Sequence, residues 1–229
     1  MAMKIDPPPA GRHDPEGGLW HVVAARDFEG RPALFLDRDG VLVEDVHYLG
    51  RADDVRMLAG AADAIAQCNR LGIPVVLVTN QSGIARHLYD WPAFHAVQAR
   101  LSASLATSAA RLDAVFACAH HADGRAPLNV ADHPWRKPNP GMILAAGQRM
   151  KLDLSHSWIV GDQASDIVAG RAAELAGGIL LSPNEDDLER TAAAALKGKK
   201  FAVEISASLK DAVSLLLSRG VLDVRAPRR

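Results

Sequence analysis

The run Ala33-Leu34-Phe35-Leu36 ends abruptly in Asp37-Arg38-Asp39-Gly40, and no other stretch restricts the fold as much. Four consecutive apolar residues read as a buried strand. Two acids one residue apart at its tip are too costly to bury unpaired, so they must meet a cation, a partner or water. In an open α/β protein such a strand delivers its acids to the carboxyl edge of the sheet, where ligands bind. A magnesium ion and a phosphate ester would supply both the cation and the reason for the acids. A surface loop that merely holds two acids is the competing reading, and D-x-D-G alone does not separate the two.

The rest of the chain repeats the pattern. Apolar runs predict strands over Val75–Val78, Ala114–Ala119, Trp158–Val160, Gly178–Leu181 and Phe201–Ile205. Between them, helical spacing predicts Ala59–Leu71, a helix from Pro92 with Asp90 as its cap to about Ala110, and Pro140–Met150. Further helices are predicted from Ser165 or Asp166 to Ala176, over Glu185–Leu196 and over Ser208–Leu217. Strands alternating with helices imply an α/β fold: a mainly parallel central sheet covered on both faces. Residues 1–30, rich in proline and glycine, read as a partly loose extension in which Leu19–Ala25 lies on the body as an arm. One domain spans 31–220, and 221–229 is a tail. Gly40–Asp54 reads as a flap carrying Glu44, Asp45, His47 and Tyr48.

Composition excludes several classes of function. The formal net charge of −1 offers no broad field for nucleic acid or a membrane surface. No apolar run approaches a bilayer span, and the first thirty residues hold no secretory h-region. Two cysteines, Cys68 and Cys118, make no disulfide framework, so a cytoplasmic location is expected. Oligomeric state is not legible.

Reactive groups follow the strand ends in order: Asp37 and Asp39, then Thr79 and Asn80, then Lys137 in a loop ahead of a helix, then Asp162 and Asp166. Parallel strands bring their carboxyl ends to one edge, so these groups can converge. Phosphate monoester hydrolysis needs such a set, because the anionic ester repels nucleophiles. Magnesium held by Asp37, Asp162 and a nearby backbone carbonyl would offset that charge. Asp37 would attack phosphorus, giving an aspartyl-phosphate. Asp39 is placed to protonate the leaving alkoxide and then to deprotonate water. Thr79 and Lys137 would hold the phosphoryl oxygens. Asp166 would orient this group rather than bind metal.

These motifs, D-R-D-G, V-T-N, K-P and G-D-x-x-x-D, resemble those of the haloacid dehalogenase-like (HAD) phosphatase superfamily. The longer strings Thr79-Asn80-Gln81-Ser82-Gly83-Ile84-Ala85-Arg86 and Arg136-Lys137-Pro138-Asn139-Pro140-Gly141-Met142 are similar to its heptose-bisphosphate phosphatase and histidinol-phosphatase subgroup. The resemblance covers roughly Ala33 to Leu181. It implies a Rossmann-like three-layer sandwich and a small phosphorylated substrate, a heptose bisphosphate or histidinol phosphate. It implies magnesium at Asp37, Asp39 and Asp162, with Gln163 and Asp166 behind them. It places Asp45, His47, Tyr48, Asn80, Gln81, Ser82, Arg86 and Arg136 around the substrate. The intervals Gly40–Val75 and Ser82–Lys137 are too short for a separate cap domain, so loops must supply specificity.

The chain departs from the subgroup in the loop before Arg136. Cys118-Ala119-His120 keeps the first half of a C-x-H…C-x-C zinc pattern, but the second half reads His133-Pro134-Trp135. Histidine can replace cysteine on zinc; tryptophan cannot. Cys118, His120 and His133 are therefore candidate zinc ligands, with His121, Asp132 or water as the fourth, and a zinc-free loop packed around Trp135 is the alternative towards which the ligand count leans. His87 and Val41 stand where glycine and threonine are usual.

Two readings from other classes compete. A receiver-type phospho-acceptor domain also uses an aspartate, magnesium, a threonine and a lysine, but a lasting signal needs no acid/base such as Asp39 beside the nucleophile. A silent binding module would not need the full set of strand-end groups.

Overall fold

A computed structural model describes residues 12–13, 19–182 and 188–222. Its centre is an eight-stranded sheet: β1 (Arg12–His13), β2 (Leu19–Val23), β3 (Leu34–Leu36), β4 (Val75–Asn80), β5 (Ala114–Cys118), β6 (Trp158–Gly161), β7 (Gly177–Leu181) and β8 (Ala202–Ser206). The spatial order is β1-β2-β5-β4-β3-β6-β7-β8. From β5 to β8 all neighbours are parallel. The helices are α1 (Ala61–Arg70), α2 (Ser82–Ala85), α3 (Trp91–Ala106), α4 (Gly141–Met150), α5 (Ala164–Ala172), α6 (Leu188–Ala194) and α7 (Leu209–Ser218). No described helix is long and apolar enough to cross a membrane.

The pleat sorts the strand residues between two cores. Leu34, Leu36, Val75, Leu77, Val115 and Ala117 face one core with α1, α3 and α7. Ala33, Phe35, Val76, Val78, Ala114 and Phe116 face the other with α4, α5 and α6. This is the three-layer α/β sandwich expected from strands that are apolar on both faces. The flap after β3 contributes Leu42, Val43, Leu49 and Val55 to the first core while its polar tip stays exposed. It forms no separate cap domain.

Chain order explains where a crevice opens. From β3 the sheet grows through β4 to β5, and the chain then returns to the far side of β3 for β6. A reversal of strand order leaves adjacent loops diverging at the carboxyl edge, which is where open α/β sheets bind ligands. Asp37 follows β3 and Asp162 follows β6, so these two acids flank the reversal.

Several boundaries differ from the sequence expectations. The arm at 19–25 is a strand: β2 pairs antiparallel with β5 along its whole length, from Leu19 opposite Cys118 to Val23 opposite Ala114. It covers a sheet edge that would otherwise offer unpaired backbone groups. The helix capped by Asp90, whose carboxylate accepts from Ala93 N at 2.9 Å, stops at Ala106 rather than near 110. Helix α5 stops at Ala172 rather than 176. Residues 185–187 of the helix expected from Glu185, most of 1–18 and the tail after 222 lie outside the described residues.

β3 is only three residues long, so its start is held by a side chain. Ser157 Oγ donates to Asp153 O at 2.6 Å and accepts from Ala33 N at 2.9 Å, and Ser157 is fully buried. Ser157→Ala leaves that buried N–H unsatisfied, so it should cost about 1–3 kcal/mol. A lower urea midpoint at unchanged slope would show it.

Candidate active site

Lys137 and the strand-end acids meet at the carboxyl edge. The Lys137 ammonium lies 2.9 Å from Asp37 Oδ1 and 2.6 Å from Asp166 Oδ1, and it donates to Val78 O at 2.9 Å. All three donors of the ammonium are thereby used. Burial alone would lower its pKa, but the charges and hydrogen bonds of Asp166 and Asp37 outweigh this and raise it, so the group stays a cation. The lysine is also fixed at its backbone. Asn80 Oδ1 accepts from Lys137 N and Asn80 Nδ2 donates to Lys137 O, both at 3.0 Å. This reciprocal clamp ties the end of β4 to the R-K-P loop.

Asp37, Asp162 and Asp166 each offer an oxygen within 4.8 Å of the others. Asp166 is the poorest candidate for a metal ligand. One of its oxygens is on Lys137; the other accepts from Gln163 N at 3.2 Å, within a capping box that starts α5. Asp162 is the opposite case. Its Oδ1 is buried with no hydrogen-bond donor among the described residues. Burial, then the charges of Asp37 and Asp166, push its pKa up to about 8. Three carboxylates around one ammonium leave an excess of negative charge, and the excess is concentrated between Asp37 and Asp162. A hard divalent cation taking carboxylate oxygens and waters fits this donor set.

Two glycines make the cluster possible. A Cβ on Gly40 would stand 2.2 Å from Asp162 Oδ2, and the residue has φ of +71°. A Cβ on Gly161 would stand 2.1 Å from Asp166 Oδ2. Any larger residue would displace the acids.

The Asp39 carboxylate lies outside the group of acid side chains that could share a metal, so a place for Asp39 among magnesium ligands would fall to its backbone carbonyl. It forms a bidentate pair with Arg38, Nε to Oδ1 at 3.1 Å and Nη2 to Oδ2 at 2.9 Å. Burial raises its pKa, with the Arg38 charge and hydrogen bonds opposing. Arg38 itself is buried at 1% exposure and stacks over Phe94 at 5.9 Å. Sequence reasoning passed over Arg38, although a cation enclosed by a buried motif always needs a partner.

The residues expected around the substrate divide into two groups. Asn80 and Gln81 spend their amides inside the protein: Asn80 on the Lys137 backbone, and Gln81 between Thr79 Oγ1 at 2.8 Å and Tyr89 Oη at 2.7 Å. The amides of these two hold other groups in place. Asp45, His47 and Tyr48 are exposed on the flap, and Ser82 opens α2. Arg86 donates to Tyr48 Oη and to Asp123 Oδ2, at 2.9 and 2.8 Å. Arg136 donates to His120 O at 3.1 Å. Burial comes first in lowering the pKa of Arg136 and of His121, and the Arg86 charge adds to both, so two guanidinium groups and a histidine held towards its neutral form share one corner of the site.

Because the folded pKa of Asp162 is raised from 3.8 to about 8, the metal-free protein holds a proton there that the unfolded chain releases. Stability then falls as pH rises through that window. Asp162→Asn should raise the melting temperature of metal-free protein at pH 8 by several degrees and have little effect at pH 4. The same change should abolish the stabilisation given by added MgCl2. Thermal melts with and without metal at both pH values check this.

Comparison with known proteins agrees with this geometry. A HAD-hydrolase-like family model matches residues 134–207. A D-glycero-beta-D-manno-heptose-1,7-bisphosphate 7-phosphatase of Mesorhizobium japonicum is 48% identical over 168 residues, 72% of this chain and 77% of the relative. The protein of that name from Pasteurella multocida is 34% identical over 81% of this chain and 97% of its own. A HAD-like phosphatase structure from Mesorhizobium loti superposes with TM-score 0.82 and 40% identity, over 95% of this chain and 100% of the other. A D,D-heptose 1,7-bisphosphate phosphatase from B. bronchiseptica, solved with magnesium and phosphate, gives TM-score 0.69 at 30% identity over 82% and 99%. At these identities and coverages, the chain belongs to the D-glycero-beta-D-manno-heptose-1,7-bisphosphate 7-phosphatase family of HAD-type hydrolases.

Proposed function

We propose that the protein is a magnesium-dependent phosphatase that removes the 7-phosphate of a heptose 1,7-bisphosphate through an aspartyl-phosphate. The observation that carries this reading is the convergence of Asp37, Lys137 and Asp162 at the reversal of strand order. Asp37 and Asp162 would hold the metal, which neutralises phosphoryl charge and orients the ester. An Asp37 oxygen forms a bond to phosphorus as the bond to the sugar oxygen breaks. Asp39 turns from Arg38 and gives its proton to that oxygen; its raised pKa suits a donor. Asp39 then takes a proton from water, which attacks phosphorus and releases Asp37 and phosphate. Lys137 and Thr79 hold charge on the phosphoryl oxygens throughout.

A bisphosphate also needs a second anion site. Arg86 and Arg136, with His121 beside them, supply one at the rim, and Tyr48 brings the flap over it. Arginine suits phosphate through its planar fork of donors. We place the enzyme in the cytoplasm, a reducing compartment that suits two buried cysteines in no disulfide.

We infer that the loop before Arg136 works without zinc. His120 and His133 stack with centroids 4.0 Å apart and planes 3° from parallel. Ring lone pairs lie in the ring planes, so two stacked imidazoles aim poorly at one ion. His133 Nδ1 accepts from Trp135 N at 3.1 Å, and Trp135 packs on Phe116 at 5.7 Å, in the core that also encloses Cys118. Metal analysis of protein purified without added metal should give far less than one zinc per chain; one equivalent would reverse this reading.

With magnesium, the heptose bisphosphate should release one phosphate and leave the sugar 1-phosphate, followed by phosphorus NMR. Histidinol phosphate should be turned over at least about tenfold less efficiently. Asp37→Asn should reduce turnover to background. Preference for histidinol phosphate, or turnover surviving in Asp37→Asn, would refute the proposal.

A further inference from the structure

We propose that Tyr89 is a positioning residue that acts through Gln81 to keep the Thr79 hydroxyl hydrogen free for the phosphoryl group. This rests on the phosphatase reading above. Thr79 and Gln81 are both buried, and Gln81 Nε2 donates to Thr79 Oγ1 at 2.8 Å. With its oxygen accepting from Gln81, the Thr79 O–H is left to donate elsewhere. An amide turned the other way would place Oε1 on Thr79 and draw that hydrogen to itself. The direction of the Gln81 amide therefore decides whether Thr79 can serve a phosphoryl oxygen.

Tyr89 sets that direction. Its hydroxyl donates to Gln81 Oε1 at 2.7 Å. A phenol can also accept, so something must make this one a donor. Arg38 does so: its charge and a side-chain hydrogen bond from it both act on the phenol oxygen. A cation beside that oxygen attracts the lone pairs and turns the O–H away, towards Gln81. The sequence of polar groups thus runs from Arg38 through Tyr89 and Gln81 to Thr79, with each hydrogen pointing towards the reaction centre. Arg38 also holds Asp39, so one buried cation orients both the acid/base and the phosphoryl donor.

The tyrosine ring is firmly seated. A Cβ on Gly83 would stand 2.2 Å from the ring, and one on Gly50 would stand 2.8 Å from Tyr89 Cβ. The backbones of α2 and of the flap therefore leave a slot that Tyr89 fills. Phenylalanine fits the same slot and lacks only the hydroxyl.

The test is a double-mutant cycle of Tyr89→Phe and Gln81→Leu on magnesium-dependent turnover of p-nitrophenyl phosphate, with melting temperatures alongside. Tyr89→Phe should lower kcat about tenfold with KM changed less than about twofold, the pattern of an interaction made in the transition state. Its melting temperature should fall by a few degrees at most, leaving it folded at the assay temperature. In the Gln81→Leu background, where no amide can turn, Tyr89→Phe should cause no further loss. An unchanged kcat in Tyr89→Phe overturns the proposal, as does the same fold loss in both backgrounds or a loss that follows melting temperature. Absence of wild-type turnover would count against the phosphatase reading instead. The Gln81 side-chain amide signal in NMR then decides the present point: it should shift in Tyr89→Phe, and an unmoved signal overturns the proposal.

Discussion

One buried ammonium group organises the carboxyl edge of this sheet. Lys137 sits between Asp37 and Asp166 with its third donor on the Val78 carbonyl. It comes from a loop far along the chain, yet it joins the ends of β3, β4 and α5. Removing one partner of a buried pair leaves an uncompensated charge, which is strongly destabilising. The surrounding structure shows how strictly the group is held: Asn80 clamps its backbone, and Gln163 fixes the acid on its far side. Lys137 nevertheless neutralises only part of the local charge. What remains, between Asp37 and Asp162, is the negative charge on which the proposed metal site rests.

The fold supplies the positions and the local sequence supplies the tolerance. Parallel strands around a reversal of order bring Asp37 and Asp162 together from segments more than a hundred residues apart in sequence. Gly40 and Gly161 let the acids approach, since a side chain at either would occupy their space. Without a cap domain, the rim is built from the flap and from the loop after β5. Arg86, at the end of α2, donates to Tyr48 there, so the rim is made of segments that can vary without disturbing the acids beneath.

The placement of the strand-end groups was legible in the sequence because Asp37, Thr79 and Asp162 each follow an apolar run. Lys137 reaches the same edge from the loop ahead of α4. What the pattern could not reveal depends on tertiary contacts. Leu19–Val23 becomes a strand only because β5 presents an open edge. Asn80 and Gln81 have the chemistry of substrate contacts, and only the fold shows their amides engaged with Lys137, Thr79 and Tyr89. The resemblance gives Asp39 a metal role, yet its side chain turns to Arg38. The His133-Pro134-Trp135 string already signalled a change in the loop, because tryptophan cannot bind a metal. Its ring instead packs on Phe116.

The most direct test of the central claim is a crystal structure grown with magnesium and beryllofluoride, a mimic of the phosphoryl group. Beryllium should be bonded to an Asp37 oxygen, with magnesium about 2.0–2.1 Å from oxygens of Asp37 and Asp162. Lys137 and Thr79 should contact the fluorines, while Asp166 stays on Lys137. Magnesium held by Asp166 in place of Asp162, or beryllium bonded to any other side chain, would contradict the assignment of nucleophile and metal site.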